Sequence, residues 1–122
     1  MRVLAISGSL RQDSYNTALL RSAAELAPDG VAFELHDRLA EIPPYDQDIQ
    51  DEGAPVCVED LRDRIAAADA VLIATPEYNG SLPGLLKNAP GVRCVMASAM
   101  SISVPSCHCR SIRRVCSTIA SA

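Results

Sequence analysis

The chain has 122 residues, a net charge of −4 and a hydrophobic share of 48%. That length allows one domain at most, and so high an apolar share supports a packed core rather than a disordered chain. No stretch reaches the roughly eighteen successive apolar residues of a membrane helix, and the apolar start Val3-Leu4-Ala5-Ile6 is too short for a secretory leader, so the expected compartment is the cytoplasm.

Charge and cysteine are unevenly divided. All 15 acidic residues precede residue 90, whereas residues 90–122 carry Arg93, Arg110, Arg113 and Arg114 and no acid. Cys57 stands alone in the first part, while Cys94, Cys107, Cys109 and Cys116 crowd the last. A break this abrupt predicts two parts of different origin, 1–89 and 90–122.

In chain order, Arg2 to Ile6 is a short apolar run ending in Ser-Gly-Ser, the pattern of a buried strand meeting a tight turn. Asn16 to Ala27 follows a helical period, with Leu19, Leu20, Ala23, Ala24 and Ala27 on one stripe, and Pro28-Asp29-Gly30 stops it. Val31, Phe33 and Leu35 alternate with Ala32, Glu34 and His36, which predicts a half-buried strand. Leu39 to Ala54 contains Pro43-Pro44 and many acids and is expected to be a surface loop. Val58, Leu61, Ile65 and Ala68 mark a second amphipathic helix, and Ala70 to Ala74 is a continuous apolar run, as a strand covered on both faces requires. Strands alternating with helices predict an α/β, doubly wound parallel sheet.

Two loops carry the chemistry. Ser7-Gly8-Ser9-Leu10-Arg11-Gln12-Asp13-Ser14-Tyr15-Asn16 joins the first strand to the first helix, where unpaired helix N–H groups bind anions. Ser9, Ser14 and Asn16 add neutral donors, and Arg11 adds a charged fork. A plain helix cap at Ser14 or Asn16 would explain one of these residues, not the density of donors. With one glycine and no Gly-Lys-Ser/Thr, the loop is neither a dinucleotide fingerprint nor a Walker loop. After the third strand comes Thr75-Pro76-Glu77-Tyr78-Asn79-Gly80-Ser81-Leu82-Pro83-Gly84, in which Asn79-Gly80 predicts a turn with positive φ and Tyr78 offers an aromatic face. Seen alone, this could be an ordinary strand-to-helix connection.

Together the loops are more specific. Ser7-Gly8-Ser9-Leu10-Arg11 with Ser14 and Asn16 is similar to the phosphate motif of the NADPH-dependent FMN reductases. Thr75 to Ser81, with Pro83-Gly84 and Leu86-Lys87-Asn88-Ala89, resembles that family's second signature. The resemblance covers residues 1–89, and the family includes bacterial chromate, quinone and azo-dye reductases. It implies a flavodoxin-like sheet and bound FMN. It assigns the phosphate to Ser9, Arg11, Ser14 and Asn16, and the isoalloxazine to Pro76, Glu77, Tyr78, Asn79, Gly80 and Ser81. The implied reaction passes hydride from NAD(P)H to flavin N5, then two electrons to a quinone, chromate or similar small-molecule acceptor. Flavin carries that chemistry, so no catalytic side chain is nominated. Family habit also implies a homo-oligomer.

The chain departs from the family after Ala89. Members continue through an aspartate and a tryptophan into two more strands, whereas Pro90-Gly91-Val92-Arg93-Cys94 follows here. The expectation is a flavodoxin-like sheet truncated after about three strands, with 90–122 an unrelated or out-of-frame tail. The alternative to a working reductase is therefore a truncated, non-catalytic FMN-binding or unstable fragment. In the flavodoxin strand order 2-1-3-4-5, the third strand would become an apolar edge unless part of Val92 to Val104 pairs with it. Cys107-His108-Cys109, with Cys94 and Cys116, has poor spacing for zinc, so no metal is expected. The arginines lack interleaved aromatics, so no nucleic acid is expected. His36 and Cys57 are expected to pack or face solvent, and the acids from Asp46 to Glu52 to be solvated.

Overall fold

Successive side chains of a strand point to opposite faces of its sheet, and in the first strand both faces are apolar. In the computed structural model, which describes residues 1–89 and the backbone of 101–103, Leu4 and Ile6 join one core cluster with Val58, Leu61, Ile73 and Leu86. Ala5 joins another with Leu20 and Ala74. A strand buried on both sides needs a cover on both sides, and the helices supply it.

The elements run β1 (Arg2–Ser7), α1 (Tyr15–Glu25), β2 (Ala32–His36), a 3-10 turn (Leu39–Glu41), α2 (Gln47–Glu52), α3 (Val56–Ala67), β3 (Ala70–Thr75), α4 (Gly84–Asn88) and β4 (Ser101–Ser103). The sheet order is β2-β1-β3-β4, and every pairing is parallel. Leu19 and Leu20 of α1 pack on Phe33, Leu35 and Leu72 on one face. Val58, Leu61 and Ile65 of α3, with Leu86 of α4, pack on the other. The fold is therefore the α/β, doubly wound parallel sheet that the periodicities predict, in the flavodoxin-like strand order that the family resemblance implies. Among the described residues no helix is long and apolar enough to cross a membrane.

Two expectations need correction. The stretch from Leu39 to Ala54 is not simply a surface loop. Leu39 and Ile42 are buried at 2% and 6% exposure, within the same cluster as Leu61. Burying two such side chains is favourable by about 1.5–3 kcal/mol each, which outweighs the polar character of their neighbours. The acids beyond are partly helical, because the Asp46 carboxylate accepts the Asp48 N–H at 2.9 Å and caps α2. Second, β3 is not a bare edge. Ile73, Ala74 and Thr75 pair with Ser101, Ile102 and Ser103, inside the stretch identified as able to supply a fourth strand. The other sequence readings on residues 90–122, including the cysteine and arginine clusters, lie outside the described residues.

The opposite edge, β2, is guarded by charge. Arg2 pairs with Glu34, Glu34 with Arg64, Arg64 with Asp60, and Asp60 with Arg38, which also grips Glu41. Each exposed pair adds little stability. A charged edge does, however, discourage pairing with another chain. Hydrogen bonds from Arg64 and Arg38 hold the Asp60 and Glu41 carboxyls below the usual carboxylate range.

His36 ends β2 opposite Ile6, only 2% exposed, and neither ring nitrogen has a hydrogen-bond partner among the described residues. Burial first, and the nearby Arg64 charge second, push its pKa below the ordinary 6.5. The folded state therefore resists a proton that the unfolded chain accepts, so stability falls as pH drops below about 6.5. Asp60 and Glu41 act lower, in the carboxylate range. Urea unfolding should show a flat midpoint from pH 8 to 7 and a decline from about pH 6.5 to 5. His36→Leu should remove that decline, and a decline of equal slope in the variant would assign it to other groups.

Candidate functional site

Parallel strands bring the loops that follow them to one edge of a sheet. Ser7, the last residue of β1, lies opposite Ala74 of β3, so the loops after β1 and β3 leave side by side. They are also tied together. The Gly8 N–H donates to the Ala74 carbonyl at 2.7 Å. A Cβ on Gly8 would stand 2.3 Å from Thr75 Oγ1 and 2.6 Å from Leu86 Cδ1. Glycine is required here because the first loop lies directly on the end of β3 and on α4.

Beyond Gly8 the first loop is organised by hydroxyls. Ser7 Oγ lies 2.9 Å from Thr17 Oγ1, in the first turn of α1, and 3.3 Å from the Ser9 carbonyl. The Arg11 N–H donates to Ser9 Oγ at 3.4 Å. Ser14 is buried and stands at the N-cap of α1, but its hydroxyl makes no capping bond. The first bond into the helix is the Ala18 N–H donating to the Ser14 carbonyl. The N–H groups of Tyr15, Asn16 and Thr17 have no backbone acceptor among the described residues. Arg11 is exposed and makes no ion pair among them. One cation, an uncapped helix start and several hydroxyls form a surface suited to an anion.

The second loop is a tight hairpin. Asn79 and Gly80 adopt φ values of 53° and 69°. The Tyr78 and Ser81 backbones exchange bonds of 3.0 and 3.1 Å across them. Two successive positive φ angles closed in this way define a type I′ turn, for which Asn-Gly is the favoured pair. Pro83 then starts α4, and its carbonyl accepts the Leu86 and Lys87 N–H groups at 3.0 and 3.2 Å.

Two open cavities lie beside these loops, each of about 310 Å³. The first is lined by Ser9 and Arg11 among the expected phosphate residues, together with Ser7, Thr17 and Asp37. Ser14 and Asn16 stand at the start of α1 and do not line it. The second is lined by Pro76, Glu77, Gly80 and Ser81, with Leu82, while Tyr78 and Asn79 lie outside its lining. The two cavities share no lining residue. Ser7, Thr17, Gln12 and Asp37 were not singled out individually from the sequence. Thr17 had a usable signal, a hydroxyl in the first turn of the helix after a Ser-Gly-Ser loop. His36 also borders the first cavity, and nothing in the spacing pointed to it.

A family model described as NADPH-dependent FMN reductase matches residues 1–90. An NAD(P)H-dependent FMN reductase of Pseudomonas aeruginosa is 53% identical over 89 residues, covering 73% of this chain and 48% of the relative. A quinone reductase of Escherichia coli is 44% identical over 90 residues, again 73% and 48% of the two lengths. Among solved structures, the flavoenzyme NAD(P)H:(acceptor) oxidoreductase FerB of Paracoccus denitrificans superposes with a TM-score of 0.70 at 35% identity, covering 85% of this chain and 59% of that one. The chain thus spans about half the length of the curated relatives it matches.

Gly8→Ala tests the junction between the loops. Forcing a methyl into that space should cost about 1–3 kcal/mol, read as a lower urea midpoint. An unchanged midpoint would mean that the first loop does not rest on Thr75 and Leu86.

Proposed function

The chain belongs to the NADPH-dependent FMN reductase family, and on that footing we propose that residues 1–89 hold FMN and support NAD(P)H-dependent reduction of a small-molecule acceptor. The observation that carries this reading is the joining of an anion-suited loop to a rigid turn at the tips of two adjacent parallel strands. In this fold that position, where the strand order reverses, is the ligand crevice.

The residues fit the cofactor. Ser9, Arg11, Ser14 and Asn16, with the free N–H groups at the start of α1, would hold its phosphate through charge-assisted and neutral hydrogen bonds. Pro76 to Ser81 would border the ring: the turn at Asn79-Gly80 fixes which way the backbone groups point, and Tyr78 offers a face for stacking. When bound, FMN supplies the exchange of hydride with a nicotinamide and of two electrons with an acceptor. The protein's own part is to anchor, orient and exclude water. Relatives named as quinone reductases favour a quinone as acceptor, with chromate a further candidate from the resemblance.

A second reading has a specific observation behind it. The family match stops at residue 90, the stretch beyond it carries four arginines and no acid, and the chain spans about half of its relatives. On this reading residues 90–122 are an unrelated or out-of-frame tail, and the chain is a non-catalytic FMN-binding or unstable fragment. The other two reading frames of the gene beyond Asn88 decide the first point. The frameshift idea stands if one of them encodes the family's aspartate-tryptophan continuation, and fails if neither does.

Purified chain given FMN should become yellow, and NAD(P)H should be consumed when a quinone is added. Bound flavin without turnover selects the fragment reading, and no bound flavin overturns both. Arg11→Ala should weaken FMN binding about tenfold or more, the loss expected for one hydrogen bond to a charged group. Equal affinity would remove Arg11 from the phosphate site.

A further inference from the structure

A helix of five residues, such as α4, does not hold itself together in water. Its position must come from what it touches. At its centre Leu86 is buried, at 1% exposure. At its end Asn88 makes two long-range bonds: its Nδ2 donates to the Pro43 carbonyl at 2.6 Å, and its Oδ1 accepts the Tyr45 N–H at 2.6 Å. The assignment is unambiguous, since a carbonyl can only accept and a backbone N–H can only donate. Because Pro43 and Pro44 have no N–H, that of Tyr45 is the one backbone donor in this stretch, and Asn88 takes it. A primary amide suits this pair because it carries a donor and an acceptor on separate atoms of one planar group.

The loop between β3 and α4 has little else to orient it. Its own bonds are the Tyr78–Ser81 pair and Thr75 Oγ1 to the Pro76 carbonyl at 3.1 Å. Its place relative to the first loop is set by its ends. The Gly8–Ala74 bond fixes the β3 end, and α4 fixes the other.

We propose that Asn88 is a positioning residue, which clamps α4 to Pro43-Pro44-Tyr45 and thereby holds the 76–83 loop against the first loop in the arrangement that receives the ligand. The ligand part rests on the flavin reading above, while the clamp stands on the two hydrogen bonds. It gives Pro43-Pro44-Tyr45 a role at the site although this segment lines neither cavity, whereas Asp37, Leu39 and Ala40 of the same β2–α3 connection border the first one directly.

The test uses the full chain and the variants Asn88→Ala and Asn88→Asp, with Leu61→Val as a control that loosens the core under α3. Amide exchange is followed by mass spectrometry on peptides covering 76–87 and on peptides from β1, and FMN affinity is measured in parallel. Asn88→Ala should speed exchange in 76–87 about tenfold relative to β1, and weaken FMN binding by a similar factor. Asn88→Asp keeps the acceptor for Tyr45 but loses the donor to Pro43, and should fall between. The control should raise exchange without favouring 76–87. Exchange that rises evenly in Asn88→Ala overturns the clamp, even if that variant is destabilised. If the unaltered chain binds no FMN, the flavin reading falls while the exchange comparison still decides the clamp. If it binds FMN and both Asn88 variants bind equally well, the clamp has no bearing on the ligand.

Discussion

The arrangement of the site depends on one close approach, that of the Gly8 backbone to the end of β3. The hydrogen bond from Gly8 N–H to the Ala74 carbonyl extends the pairing of β1 and β3 one step past the last residue of β1. The missing side chain lets Thr75 and Leu86 fill the space where a Cβ would be. Two loops that are more than sixty residues apart in sequence thereby meet without an intervening layer. Any other residue at this point would separate the donor-rich loop from the turn beside it, and the two would no longer be neighbours on a shared floor.

That floor is made rigid from below. β1 is apolar on both faces, so α1 on one side and α3 with α4 on the other are bound to it by burial rather than by intrinsic helix propensity. The 3-10 turn contributes Leu39 to the same core. The connection from β2 to α3, acid-rich and proline-stiffened, is consequently anchored at two depths: by Leu39 and Ile42 in the core, and by Asn88 nearer the surface.

Much of this was legible in the residues because it depends on short-range pattern. The runs Arg2 to Ile6 and Ala70 to Ala74 announced buried strands by length and composition, and Leu19-Leu20 and Val58-Leu61-Ile65 announced helices by spacing. Asn79-Gly80 announced a turn of positive φ because few other pairs tolerate it. What was not legible is tertiary. Leu39 and Ile42 are isolated apolar residues beside two prolines, and only the folded chain reveals that the core reaches them. The capping of α2 by Asp46 was hidden among neighbouring acids. The pairing of Asn88 with Pro43 and Tyr45 links residues over forty positions apart, which no local pattern encodes. Within the site, the cavity beside Arg11 recruits Asp37 and His36 from the end of β2, since adjacent strands end together.

The turn at Asn79-Gly80 has a thermodynamic consequence. Its shape is imposed by residues that adopt positive φ at low cost and by two mutual backbone bonds, before any guest arrives. A recognition element shaped in advance loses little conformational entropy on association, so more of each contact's energy is retained as affinity. Stiffness at the rim thus substitutes for contact area.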